Sequence, residues 1–166
     1  MPELKKVAMV SSTVLDLPDH RREVREACLR QDMFPLMMES LPASDADAIN
    51  VSLGMVDRAD VYIGVFGYRY GHIPSGSNVS ITEMEYDRAC ERGIPRLIFL
   101  IDKDHLVKRQ DVECGDGGEK LRGFLGRIDR VWARFLSPAD LRAHVIDSLA
   151  RLRLSDLDAV IKGTPK

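Results

Sequence analysis

A chain of 166 residues with 45% hydrophobic and 30% charged side chains can bury one sizeable core, which excludes a disordered or fibrous protein. A net charge of −2 gives no basis for a nucleic-acid or membrane-surface partner, and no segment approaches the roughly 20 apolar residues of a membrane span. Three cysteines (Cys28, Cys90, Cys114) and four scattered histidines form neither a disulfide framework nor a metal-ligand set, so a reducing, cytoplasmic setting without a metal or required cofactor is expected.

Lys6 to Ser11 (KVAMVS) is a short apolar run closed by Ser-Ser-Thr, which predicts a buried strand with a polar exit loop. The run is too short for a signal peptide. Pro18 opens a charged helix to about Gln31, with Val24, Ala27 and Cys28 as a narrow apolar stripe and Asp16 placed to cap it. His20 and His72 read as solvated. Met33 to Met38 is a second strand, and Pro35 inside it argues for a sheet edge. Glu39 to Asp47 is a polar loop. Ile49, Leu53 and Val56 then mark a second helix, capped by Ser44 or Asp45.

Asp60 to Phe66 (DVYIGVF) is β-branched, aromatic and nearly all apolar, as a central parallel strand requires. Gly67 to Val79 is a long Gly/Tyr/Ser loop, a common carrier of function. Ser80 to Pro95 (SITEMEYDRACERGIP) follows as a helix with carboxylates in its first turns and a stop at Gly93. Glu85, Ala89 and Gly93, at i, i+4 and i+8, share one face, and Cys90 reads as a small core residue. Arg96 to Ile101 is a fourth buried strand, followed by a polar loop from Asp102 to Gly118 and a short helix from about Glu119 to Gly126. Val131 to Leu136 is the fifth strand. Ser137-Pro138 starts a last helix whose Leu141, Val145, Leu149 and Leu152 face the core. The domain spans residues 1–153, and residues 154–166 read as a tail or linker.

Five strand–helix alternations with right-handed crossovers predict a three-layer α/β sandwich around a five-stranded parallel sheet. The edge character of the second strand favours the order 2-1-3-4-5, a flavodoxin-like fold. Ligands in such sheets bind at the carboxyl ends of the strands, where the first and third part company. That places Ser11-Ser12-Thr13 beside Tyr68-Arg69-Tyr70-Gly71, with Ser80, Thr82 and Glu85 at the following helix start and Glu39 on the same edge. Phe66-Gly67 stands where a response regulator needs its acceptor aspartate, and neither GxGxxG nor a P-loop lysine motif is present. Glu85 is either a cap or a catalyst: Ser80-x-x-Glu83 and Thr82-x-x-Glu85 both fit a capping box. An ion pair with an arginine is a further use for it. Arg69 either fixes its own loop, on carbonyls or Glu39, or meets a ligand. Tyr68 and Tyr70 either pack the loop or face a ligand.

Four motifs in order carry a resemblance: SSTVLDLPDHR (Ser11 to Arg21), Pro35 with Met38-Glu39, DVYIGVFGYRYG (Asp60 to Gly71) and SITEMEYDRACERGIP (Ser80 to Pro95). They resemble a domain family of unknown function that, in many bacterial and some animal proteins, is the N-terminal module of STAND-type NTPases with WD40 or TPR repeats. The match covers roughly Lys6 to Leu100, and His20-Arg21 replaces the family's usual Glu-Arg. The family is more distantly similar to TIR domains and nucleoside 2-deoxyribosyltransferases. Glu85, Ala89, Gly93 and Pro95 match the transferase spacing, with Ile94 in place of a basic residue.

The resemblance implies a TIR-like effector or sensor domain of a larger signalling or phage-defence protein. In it Glu85 would act at the anomeric carbon of NAD or a nucleotide, the substrate. Ser11, Thr13 and Arg69 would hold ribose or phosphate oxygens, with Ser12, Glu39, Gly71, Ser80 and Thr82 also around the ligand. Tyr68 or Tyr70 would stack on the base. The alternative is a non-catalytic module that self-associates or docks on neighbouring NTPase or repeat domains. No tryptophan or second acid stands clearly beside Glu85; Trp132 falls on the fifth strand.

Overall fold

Five apolar runs become five parallel strands in the computed structural model, which describes residues 5–39 and 44–163. They are β1 (Val7–Ser12), β2 (Phe34–Met37), β3 (Val61–Phe66), β4 (Arg96–Ile101) and β5 (Ala133–Phe135), in the order β2-β1-β3-β4-β5. Ala8 lies opposite Val61 and Ser12 opposite Val65, so β1 and β3 end level with each other. The helices are α1 (Pro18–Arg30), α2 (Asp45–Asp57), α3 (Ile81–Arg92), α4 (Gly115–Gly126) and α5 (Pro138–Ile161).

The period-2 alternation of each strand sends its side chains into two separate cores. Ala8, Val10, Ile63 and Phe99 meet Val24 and Ala27 of α1 and Leu141, Val145 and Leu149 of α5. Met9, Tyr62, Phe66 and Ile98 meet Val56 of α2, Tyr86 and Ala89 of α3 and Phe124 of α4. The architecture is thus a three-layer α/β sandwich with a flavodoxin-like strand order. Among the described residues no helix is long and apolar enough to cross a membrane.

Several local expectations are corrected. α5 does not stop near residue 153: it continues through Ser155 to Ile161, with its far end tied to the body where Lys6 meets Asp156 and Arg153 donates to the Gln31 carbonyl at 3.3 Å. α4 starts at Gly115, four residues earlier than its apolar pattern suggests. Asp16 does not cap α1; the N-cap is Leu17, which makes no side-chain bond, and Asp16 accepts from Thr13 instead. His20 is buried against His105 and the Phe135 ring, whereas Cys90 is exposed because Ala89 takes the core-facing position. Residues 40–43 of the polar loop, residues 164–166 of the tail and residues 1–4 lie outside the described residues.

Candidate active site

Because β1 and β3 are neighbours whose connections leave toward opposite faces, the loops after them diverge and open a cleft at the carboxyl edge of the sheet. The cleft has a volume of about 490 Å³. Ser12 closes β1, Thr13 and Arg21 come from the loop after it and α1, Glu39 from just past β2, Arg69, Gly71 and His72 from the loop after β3, and Thr82 and Glu85 from α3. Glu113 reaches it from the segment before α4, and Val10, Met38 and Ile81 supply apolar wall.

Glu85 is 5% exposed. The cap of α3 is Ser80, whose hydroxyl accepts from the Glu83 amide at 3.2 Å. Thr82 is already inside the helix, so the Thr82-x-x-Glu85 capping box does not form. Both oxygens of Glu85 face other elements: Oε2 accepts from Ser11 of β1, and Oε1 accepts from Ser52 of α2 at 2.8 Å. No ion pair reaches it among the described residues. Arg21 influences it only through space, since this guanidinium donates to the Ser12 carbonyl (3.2 Å), the Ser12 hydroxyl (2.8 Å) and the Met38 carbonyl (2.6 Å). Burial pushes the Glu85 pKa up; the Ser11 and Ser52 hydroxyls and the Arg21 charge pull the other way without cancelling it. Glu85 is thus a buried carboxylate in the lining of the cleft, held by two hydroxyl donors and outside the capping of α3.

The structure brings Ser12, Thr13, Glu39, Arg69, Gly71, Thr82 and Glu85 around one space, with Ser11 bonded directly behind Glu85. It takes three candidates out of that space. Tyr70 is 2% exposed within the second core; its hydroxyl accepts from the Ser80 amide (3.2 Å) and donates to Glu83. Tyr68 packs on the first core, and the Ser80 side chain is spent on the cap. Glu83 is structural as well, for it also receives Arg127 at 2.6 Å. Arg69 meets the Gln110 carbonyl at 3.4 Å rather than Glu39. Gly71 has φ +93, and a Cβ there would sit 3.0 Å from Thr82 Oγ1.

Arg21, Ser52, His72 and Glu113 were not legible as site residues. Arg21 falls in the first turn of the helix that follows the Ser-Ser-Thr loop, which puts it over the strand end, and that position was its one signal. Ser52 carries no motif: it is a fully buried serine on a helix joined to Glu85 only by tertiary packing. His72 is held by Asp45 at 2.8 Å, and Glu113 accepts from the Tyr70 amide at 2.6 Å, both through long-range contacts.

A structure of "2-desoxiribosyltransferase from Leishmania mexicana" matches with a TM-score of 0.44 and 21% identity, over 68% of this chain and 75% of that one. A likeness at that level carries no inference about activity. Among curated proteins none matches. The family model described as "Domain of unknown function (DUF4062)" matches residues 7–150, most of the chain, and the chain therefore belongs to the DUF4062 family.

Proposed function

We propose that this domain binds NAD or a nucleotide in the cleft and breaks its N-glycosidic bond, with Glu85 facing the anomeric carbon. One observation carries the reading: Glu85 is a buried carboxylate at the floor of an open cleft, held by two hydroxyls and spent on neither cap nor ion pair. As the bond from C1′ to the base nitrogen breaks, positive charge gathers on C1′ and the ring oxygen. A carboxylate there stabilises that charge or bonds to C1′ until water or a second base replaces the leaving base. Burial strengthens the interaction because little water intervenes. The volume suits a nucleoside or nucleotide. Ser12 and Arg69 supply donors for ribose or phosphate oxygens, and Thr13, whose proton goes to Asp16, keeps an acceptor for a ribose hydroxyl. In the cell the domain would act as a TIR-like effector or sensor in a larger signalling or phage-defence protein, ahead of a STAND-type NTPase. Chromatography of free base released from NAD and from nucleotides, for the wild-type chain and Glu85→Gln, tests the reading.

A second reading has its own observation. Leu154, Leu157 and Ile161, spaced as one helical stripe, are exposed on the end of α5 together with Val160. That favours a module that self-associates or docks on a neighbouring domain. Light scattering of wild type and Leu157→Asp tests it: a mass that falls in the variant supports association through this stripe, and a monomer in both opposes self-association.

A further inference from the structure

Glu85 stands within a buried row of hydroxyl groups that the proposed chemistry does not itself use. On one side is Ser52, fully buried on α2. Its oxygen lies 2.8 Å from Glu85 Oε1 and 3.9 Å from the Met38 sulfur, and its single proton goes to the carboxylate, the stronger acceptor. On the other side is Ser11 of β1, whose proton goes to Oε2. Behind Ser11 lies Tyr62 of β3, fully buried, with its hydroxyl beside Ser11 and Glu85 and no hydrogen-bond partner of its own. Gly64, opposite Ser11 in the sheet, makes room for core side chains: a Cβ there would lie 2.7 Å from the Phe66 ring and 2.9 Å from Ile98.

A phenol buried with no partner is disfavoured unless something else requires it. Phenylalanine would fill the same space in the core without that penalty. Likewise Ser52 occupies a fully buried helix position where alanine would be the better helix former.

We propose that Ser52 and Tyr62 are positioning residues for Glu85: Ser52 holds Oε1 directly, and Tyr62, without bonding to either, sets its phenol dipole beside the Ser11 hydroxyl that holds Oε2. This rests on the reading of Glu85 given above. Both residues favour the ionised carboxylate and fix the plane of the carboxyl group toward the cleft. The charged groups nearby are Arg21 of α1, which acts on Glu85, and Glu39 at the end of β2, which acts on Arg21. Ser52 and Tyr62 are therefore the neutral contributors, and their removal leaves the charges in place.

The test is an NMR titration of the Glu85 side-chain carbon in the full chain, for wild type, Ser52→Ala and Tyr62→Phe, beside the pH profile of base release. Loss of a hydrogen bond to a charged group moves the titration midpoint of Ser52→Ala up by about one pH unit. Tyr62→Phe moves it up by less, and the acid limb of the activity follows in each. A midpoint unchanged in both folded variants overturns the inference and makes the two residues structural only. If Ser52→Ala does not fold, Tyr62→Phe, which loses a single oxygen, gives the decision alone. Midpoints that move while wild type releases no base support the positioning role and overturn the glycosidic reading. Base release with unmoved midpoints does the reverse.

Discussion

Ser52 and Glu85 lie on different helices, 33 residues apart in the chain, and meet at 2.8 Å with both side chains out of solvent. With Ser11 on the other oxygen, this contact leaves Glu85 hydrogen-bonded but without a directly paired cation. A buried carboxylate in that condition is costly to the fold.

Replacing Glu85 by glutamine tests that cost. The amide keeps the volume and can bond both hydroxyls, accepting from one and donating to the other, while the desolvated charge is gone. Calorimetry of Glu85→Gln at neutral pH gives a melting temperature equal to or above that of wild type. A fall of more than about 4 °C, which corresponds to roughly 1–2 kcal/mol in a chain of this size, would mean that the carboxylate holds the fold together.

Acidity adds a second prediction with a definite sign. Burial places the folded-state pKa of Glu85 above the ordinary 4.5, so the folded state binds this proton more tightly than the unfolded state does. The ionised group therefore opposes folding above the folded pKa, and the opposition fades as pH falls through it. The gap in melting temperature between Glu85→Gln and wild type narrows as pH is lowered from 7 towards 4.5. Base release that needs the ionised form declines over the same range. A gap that widens on acidification contradicts the burial argument.

Tyr70→Phe separates a packing role from a ligand role. The variant removes the hydroxyl that links the Ser80 amide to Glu83 at the start of α3. Leaving a buried amide without its acceptor costs about 1–3 kcal/mol, a drop of about 2–12 °C in melting temperature. Nucleotide affinity at a temperature where the variant is folded stays within about threefold of wild type. A large loss of affinity with no loss of stability would return Tyr70 to the cleft.

Gly71→Ala acts on the cleft wall. At φ +93 a side chain is strained, and its Cβ would press on Thr82 Oγ1 at 3.0 Å. The left-handed conformation alone costs about 1–2 kcal/mol. Melting temperature falls by about 2–8 °C, and ligand-induced stabilisation falls with it because both Gly71 and Thr82 line the cleft. An unchanged melting curve contradicts the backbone assignment.

What the sequence disclosed was mostly local or topological. Arg96–Ile101 was legible to the residue because the apolar run Leu97–Ile101 is short, follows Pro95-Arg96 and is closed by Asp102. The strand order followed from Pro35, and the meeting of Ser11, Arg69 and Glu85 followed from the order. The caps Ser44 and Ser80 were visible as residue types at helix starts. What stayed hidden depended on which side chain tertiary packing would claim. Tyr70 reads like a loop aromatic, but burial and Glu83 take it into the core. Ser52 reads like any helix serine until α2 is laid against α3. The run of α5 past Ser155 was written in Leu154, Leu157 and Ile161, but these residues are exposed, so no core pattern marked them.

The most direct test of the account is the rate at which free base appears from NAD and from nucleoside monophosphates, measured side by side for the wild-type chain and Glu85→Gln. The account predicts release by wild type and a rate at least about 100-fold lower in the variant, the scale of losing a principal electrostatic group at a reacting centre. Equal release by both chains, or none by wild type at any concentration even when the domain is clustered, would contradict it.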